Sequence, residues 1–170
     1  MACYIKSVSR KENDTVDAKL VNPIIDAFME VMPQTGFPTP RRRKVYLQDK
    51  NIISNGVTVT IGFMRQMRGK VIYNMSEEAA KFVASTMMMG VPVTKLSDLV
   101  QSSIREICNM LTARAATNFS QMGLTVDITP PTLAINKDET IKISDEHFLT
   151  VEMELGEHRI DIALAVDRED

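Results

Sequence analysis

The longest regular pattern of apolar and polar residues in the chain is a helical one, over residues 94–122. Apolar side chains recur there every three or four residues, which places them on one face of an α-helix. They are Leu96, Val100, Ile104, Ile107, Leu111 and Ala115. Gly123 follows, in the position where glycine commonly ends a helix. The pattern predicts a long amphipathic helix that begins just beyond Pro92 and buries one face.

Two shorter helices are predicted from the residues at their ends. Asn22 can cap a helix whose first position is Pro23, and the apolar residues that follow stop at Pro33. Ser76 can cap a second helix through its side-chain oxygen. The two glutamates after it suit the positive end of the helix dipole. Gly90 is expected to end that helix. The chain therefore has three predicted helices, of which the last is the longest.

Apolar residues alternate with polar or small ones in much of the remaining chain, as in half-buried β-strands. The clearest alternations lie at residues 45–47, 57–63, 71–75, 149–155 and 158–166, with shorter ones at 126–128 and 141–143. Arg68-Gly69 and Gly156-Glu157 are predicted as turns between strands. Because the helices are grouped between hairpin-linked strands, we predict an α+β fold, a single domain with an antiparallel sheet of about six strands packed by about three helices.

The size and charge of the chain narrow the class of protein. Its 170 residues can bury a core without disulfides or metals, so one domain is expected at residues 16–170, after a flexible leader at residues 1–15. A net charge of −2 gives no positive field that would attract nucleic acid or an anionic membrane. Cys3 and Cys108 are far apart, and no signal peptide or membrane span is evident, so a soluble cytoplasmic protein is expected.

Four other features have both a functional and a structural interpretation, and the structural one is favoured for each. The basic run at residues 41–44 leads into a strand and lacks the aromatic residues of a nucleic-acid surface. His147 and His158 have no partner at metal-ligand spacing. Cys108 adjoins the buried helix face without a neighbouring base, and the methionines at residues 87–89 suit adaptable core packing.

The face of the long helix that points away from its apolar residues carries a short polar stripe. Each residue turns a helix by about 100°, which assigns four residues to that face. They are Ser102, Glu106, Asn109 and Ala113. Glu106 and Asn109 are three residues apart, so their side chains can reach one docked partner together. Any surface helix shows polar residues on its outer face, so spacing alone defines no function.

Four further segments, together with this stripe, are similar in order and spacing to a known family. The stripe reads Ser102-x-x-x-Glu106-x-x-Asn109, with Pro130 and Pro131 some twenty residues later. The segments are Asn22-Pro23-Ile24-Ile25-Asp26-Ala27-Phe28, Met87-Met88-Met89-Gly90, Asn109-Met110-Leu111-Thr112-Ala113 and Ile128-Thr129-Pro130-Pro131-Thr132. From about residue 17 to its end, the chain resembles the CheX/CheC/FliY chemotaxis phosphatases, and it is most similar to the CheX type.

This resemblance implies a CheC-like fold and an enzyme that hydrolyses the aspartyl phosphate of a CheY-like response regulator in chemotaxis signalling. Asn109 would orient the attacking water and Glu106 would dock to the regulator. Ser102 and Pro131 are assigned to substrate binding, although either Pro130 or Pro131 can be the family's proline. No cofactor bound by this chain is expected, because the regulator supplies Mg²⁺.

The resemblance also bears on the number of sites and of subunits. CheC-type members carry a second Glu-x-x-Asn on their first helix, where this chain has Asp26 and, three residues later, Met29. A single site per chain is therefore implied. The CheX precedent is a homodimer, so a second copy of the chain is an expected partner, with no nucleic acid and no membrane.

Two other functions remain open from the sequence. The first is a non-catalytic adaptor that binds a response regulator or a flagellar switch component through the same helix face. The presence of both Glu106 and Asn109 favours the enzyme over this adaptor. The second is a purely structural dimer module.

Arg105 and Arg114 lie beside the stripe and are interpreted as solvated side chains outside the site.

Overall fold

The structure, a computed structural model, describes residues 18–168, and the predicted leader at residues 1–15 lies outside them. The helices are α1 (Asn22–Gln34), α2 (Glu77–Met87) and α3 (Asp98–Gln121), with a short 3₁₀ helix, Ala18–Leu20, before α1. The strands are β1 (Arg41–Ile53), β2 (Gly56–Arg65), β3 (Met67–Ser76), β4 (Val126–Ile128), β5 (Thr132–Ile135), β6 (Thr140–Leu155) and β7 (His158–Arg168). The predicted α+β class is confirmed, with seven strands in place of about six.

All seven strands belong to one antiparallel sheet, in the order β1-β6-β7-β3-β2-β4, with β5 also paired to β2. The β2–β3 and β6–β7 hairpins form its centre. Strand β1 pairs with the hairpin of the second half of the chain, and β4 and β5 pair with the hairpin of the first half. In each half of the chain a helix comes before the strand or strands that pair with the hairpin of the other half, and the half's own hairpin follows. The two halves share this order of elements, although the sequence shows no obvious repeat.

The main core lies between one face of the sheet and the three helices. Strand residues of alternating position, such as Val59, Tyr73 and Ile162, are buried in one cluster with residues of all three helices. The predicted buried face of α3 is confirmed from Val100 to Ala115. Leu96 is half-buried and precedes the helix, which Ser97 caps by accepting a hydrogen bond from the Val100 amide at 3.4 Å. Within the described residues, no helix has the length and apolar character needed to span a bilayer.

The ends of the two shorter helices correct two predictions. Asn22 does not cap α1, because Val21 occupies the capping position and its carbonyl accepts the amides of Ile24 and Ile25. Pro33 lies inside the last turn and does not end the helix at its own position, because the helix continues to Gln34. The prediction for α2 is confirmed at its start, where Ser76 Oγ accepts the Ala79 amide at 3.0 Å.

The methionines at residues 87–89, at the end of α2, only partly have the core packing that the sequence predicted. The helix ends at Met87, and Met87 and Met88 pack against the core. Met89 is 96% exposed, so core packing is the wrong interpretation for that residue. Its backbone has a φ of 58°, and Gly90 follows with a φ of 89°. Two successive residues in the left-handed region turn the chain away from the helix, which places Met89 in solvent.

The predicted turn at Arg68-Gly69 is wrong. Strands β2 and β3 are joined at Gln66, next to Arg65, whose φ is 80°. Gly69 lies inside β3 with a φ of 144°, and a Cβ there would overlap the carbonyl oxygen of Ala165 on β7. The glycine is needed because two strand backbones approach closely, and that approach is not visible in the local sequence.

Candidate active site

A groove of about 610 Å³ lies between the outer face of α3 and the segment that joins β4 to β5. Four of its lining residues come from α3, one is the last residue of β4, and three come from that segment. They are Ser102, Arg105, Glu106 and Asn109, and Ile128, Thr129, Pro130 and Pro131. All four residues that the sequence assigned to the site therefore line one groove, together with Arg105, which had been left outside it.

The α3 wall is held in place by the buried side of the same helix. Ile104, Ile107 and Leu111 are almost completely buried against the sheet and the other helices. The opposite side carries Glu106, which is exposed, and Asn109, which is half-buried. Since helix periodicity fixes these two faces relative to each other, the core contacts determine which way the acid and the amide point.

The second wall is attached to β2 through Thr129. Its amide donates to the Gly62 carbonyl at 2.9 Å, and its hydroxyl oxygen accepts the Gly62 amide at 2.7 Å. The Thr129 side chain lies 3.1 Å from the position that a Cβ of residue 62 would occupy, so Gly62 leaves room for this contact. Pro130 is exposed and Pro131 is half-buried, and both line the groove. The choice between the two prolines stays open.

Glu106 and Asn109 have no side-chain hydrogen bond or ion pair with any other residue in the described part of the chain. Other polar side chains on α3 are engaged within the protein: Asn118, for example, donates to the Pro23 carbonyl at 3.0 Å. An amide has both a donor and acceptors, and a carboxylate has only acceptors. The groove thus presents one neutral and one anionic group, a single helical turn apart, for contact with another molecule.

The two arginines beside the stripe differ from each other in the structure. Arg114 binds Glu30 of α1 through two hydrogen bonds, of 3.1 and 2.8 Å, and so connects α1 to α3. Arg105 lines the groove and donates from Nη2 to Ser102 Oγ at 3.2 Å. The sequence had suggested that both are solvated side chains, but each is bound to another side chain of the protein. The spacing of Arg105 to Ser102, three residues along the helix, was a signal for their contact.

Helix α1 does not reproduce this arrangement. Asp26 is exposed, but Met29, at the position of the amide, is half-buried and packs against the core. A cavity of about 560 Å³ beside α1 is lined by Asp26 and by the Glu30–Arg114 ion pair. Two asparagines also line it, Asn22 and Asn118, and the Asn118 amide is already bound to the Pro23 carbonyl. Asp26 and Met29 therefore do not repeat the pair that Glu106 and Asn109 form on α3.

The histidines, Cys108 and the basic run, the other candidates from the sequence, lie outside the groove. The ring of His158 stacks on Phe82 with the centroids 4.6 Å apart, and His147 is exposed. Cys108 is buried, and burial raises the pKa of its thiol, which confirms that it is a poor candidate for a nucleophile. The basic run lies on β1, where Arg43 pairs with Glu154 at 3.0 Å. Over the described ranges no three His, Cys, Asp or Glu side chains are grouped as metal ligands.

Comparison with known proteins identifies relatives of this chain. A family model described as chemotaxis phosphatase CheX matches residues 57–154, more than half of the chain. The CheY-P phosphatase CheX of Thermotoga maritima is 32% identical over 127 residues, which are 75% of this chain and 82% of that protein.

Solved structures of chemotaxis proteins share the fold. The chemotaxis protein CheX of Vibrio vulnificus aligns with a TM-score of 0.79 and 22% identity, over 88% of this chain and 100% of that one. The CheX–CheY–BeF₃–Mg²⁺ complex of Borrelia burgdorferi aligns with a TM-score of 0.65 and 24% identity, over 88% of this chain and 98% of that one. The sequence matches, supported by this shared fold, show that the chain belongs to the CheX family of chemotaxis phosphatases.

Proposed function

We propose that this protein hydrolyses the aspartyl phosphate of a CheY-like response regulator in chemotaxis signalling. The observation that carries the proposal is the pair formed by Glu106 and Asn109, which line one groove and have no partner within residues 18–168. The names of two relatives support the substrate: one is a CheY-P phosphatase, and another was solved in complex with CheY.

Phosphoryl transfer to water requires little covalent catalysis by the protein. Water attacks phosphorus, the bond to the aspartyl oxygen breaks, and the products are a free carboxylate and inorganic phosphate. Positioning the water in line with the leaving oxygen accounts for much of the acceleration in such reactions. The regulator brings Mg²⁺ and a lysine to balance the phosphoryl charge, so the phosphatase has to contribute only the oriented water. No cofactor is bound by this chain in the proposal.

Asn109 is suited to hold that water. Its carboxamide can accept a hydrogen bond from the water and leave an oxygen lone pair directed at phosphorus. A carboxylate in the same place would carry a negative charge toward the phosphoryl oxygens and would be repelled. The half-buried position of Asn109 on α3 limits the directions in which its side chain can point, which favours orientation of the water.

Glu106 would bind the lysine of the regulator's active site and so fix the register of docking. It is exposed and lies one turn before Asn109, so a charged partner can reach it without a large desolvation cost. Ser102 and Pro131 would contact the regulator from the two walls of the groove. In this arrangement the charge of Glu106 governs engagement and the amide of Asn109 governs turnover.

A homodimer is part of the proposal, on the precedent of the family. Strand β1 is paired on one side only, to β6, and β4 and β5 are paired to β2 alone within the described residues. Such open edges can add a strand from a second copy. Light scattering at micromolar concentration should give twice the mass of one chain, and the mass of one chain would contradict this part.

One assay separates the enzyme from the adaptor. The purified protein is mixed with a CheY-like regulator, Mg²⁺ and an excess of a small phosphodonor, and the steady-state phosphorylated fraction of the regulator is measured. A phosphatase lowers that fraction in proportion to its concentration. An adaptor that binds without hydrolysis leaves it unchanged or raises it, and either result would refute the proposed activity.

A further inference from the structure

Arg105 is a groove residue whose guanidinium is held by a neutral partner. It donates to Ser102 Oγ at 3.2 Å, and it forms no ion pair with a carboxylate in the part of the chain that the structure describes. A guanidinium is always charged at ordinary pH and has five N–H donors. Most of its donors, and its full charge, are therefore available to an external anion.

Several other arginines of the described chain have acidic partners. Arg43 pairs with Glu154, Arg114 with Glu30, and Arg159 with both Glu152 and Asp161. These pairs connect neighbouring elements of the fold and leave little charge for a ligand. Arg105 differs from them in its partner and in its place, because it lies in the groove beside the candidate active residues.

The hydrogen bond to Ser102 also fixes where the guanidinium lies along the groove. Side chains on a helix lean toward its N-terminus, and Arg105 follows this rule by reaching back over the turn that contains Ser102. Asn109 is four residues further along α3. The positive charge is thus held at the end of the groove near the start of α3, at a distance from the amide that would hold the water.

We infer that Arg105 is a docking residue, which binds a carboxylate on the regulator surface beside the phosphorylated aspartate. The inference rests on the proposed function. An aspartyl phosphate that binds Mg²⁺ is surrounded by carboxylates, since Mg²⁺ in proteins is held through carboxylate and phosphate oxygens. Arg105 and Glu106 then present a positive and a negative group side by side, to an acid and a lysine of the regulator.

Two opposite charges at neighbouring positions select one register of the docked regulator. In a shifted register Arg105 would face the lysine and Glu106 the carboxylate, and both contacts would be repulsive. Because the Arg105 contact forms on docking and lies away from the phosphorus, it would stabilise the bound complex and the transition state equally. Its loss should therefore raise KM and leave kcat unchanged.

The test compares Arg105→Ala, Arg105→Lys and the parent in dephosphorylation of a CheY-like regulator over a range of regulator concentrations. We expect Arg105→Ala to raise KM by about tenfold with kcat unchanged, and to reduce the dependence of KM on salt. Arg105→Lys should restore part of the affinity, since it keeps the charge without the fork of donors. Arg41→Ala is the control, because Arg41 is exposed on β1 and outside the groove.

Ser102→Ala supplies a second readout that a purely structural role of Arg105 would not change. It should raise KM by about two- to threefold in the parent and by clearly less in Arg105→Ala, because the part of the hydroxyl's contribution that acts through the guanidinium is already lost there. Additive effects of the two substitutions would contradict the positioning of Arg105 by Ser102.

The outcomes separate this inference from the proposed function. Absence of hydrolysis by the parent protein refutes the function, and the affinity of parent and Arg105→Ala for phosphorylated regulator then still tests the docking role. Equal KM values in an active parent and Arg105→Ala refute the inference alone. A fall in kcat with KM unchanged also refutes it, because that result assigns Arg105 to the phosphoryl group in the transition state.

Discussion

The side chains of Tyr73 and Thr112 share a hydrogen bond of 2.8 Å in the interior between β3 and α3. Both residues are almost completely buried, at 1% and 0% exposure. Thr112 Oγ1 also donates to the Cys108 carbonyl at 2.8 Å, so the Tyr73 hydroxyl is the donor in the bond between the two side chains. This polar contact, within an apolar core, fixes the rotation of α3 against the sheet and thereby the direction of its outer face.

Replacement of Tyr73 by phenylalanine tests this contact. We expect Tyr73→Phe to lower the free energy of unfolding by about 1 kcal/mol, because one buried hydrogen bond is lost while Thr112 keeps its bond to Cys108. Tyr46→Phe is the control, since Tyr46 is half-exposed and lies on β1. Urea denaturation of the three proteins measures the difference, and equal losses in both variants would show that the buried bond has no special value.

Cys108 offers a test of the core under α3. Burial raises the pKa of its thiol above the ordinary value of 9.0, so the thiolate is favoured only in the unfolded chain. The stability that this group contributes is fully present below pH 9 and is lost as the pH rises above it.

In a Cys3→Ser background, we expect alkylation of Cys108 at neutral pH to follow global unfolding as urea is added. Rapid alkylation without urea would contradict the buried position.

Glu106 is expected to act in docking. Glu106→Gln keeps the size of the side chain and removes its charge, so it should weaken binding to the phosphorylated regulator by about tenfold. Glu157→Gln, at the turn between β6 and β7, makes the same charge change on an exposed residue outside the groove and should have no effect. Calorimetric titration of each variant with a stably phosphorylated regulator gives the affinities. Equal affinity of Glu106→Gln and the parent would exclude a docking role for the charge.

The parts of the fold that could be predicted from the sequence depend on neighbouring residues. The period of α3 fixed its buried and exposed faces, and Ser76 and Gly156-Glu157 marked a helix start and a hairpin. These features follow from helix and strand geometry within a few residues. The same periodicity placed the acid and the amide of the candidate site on one outward helix face, and the resemblance to a known family is what assigned them a role.

The parts that could not be predicted depend on residues far apart in the chain. Gly69 looked like a turn because nothing nearby in sequence indicates the approach of Ala165. Arg114 looked solvated because its partner, Glu30, is 84 residues away. The second wall of the groove depends on Thr129 binding Gly62, across 67 residues. Local patterns therefore define the faces of the elements, and only the packed fold shows which faces meet.

The account depends most on the carboxamide of Asn109. Its central test is the first-order rate of phosphate release from phosphorylated regulator, measured at saturating concentrations of parent and of Asn109→Ala, so that differences in affinity do not contribute. Unfolding in urea and affinity for the regulator are measured on the same samples and should change little. We expect Asn109→Ala to release phosphate about 10²-fold more slowly. Release at the parent rate by a folded, bound Asn109→Ala would contradict the proposed role of Asn109 in holding the attacking water.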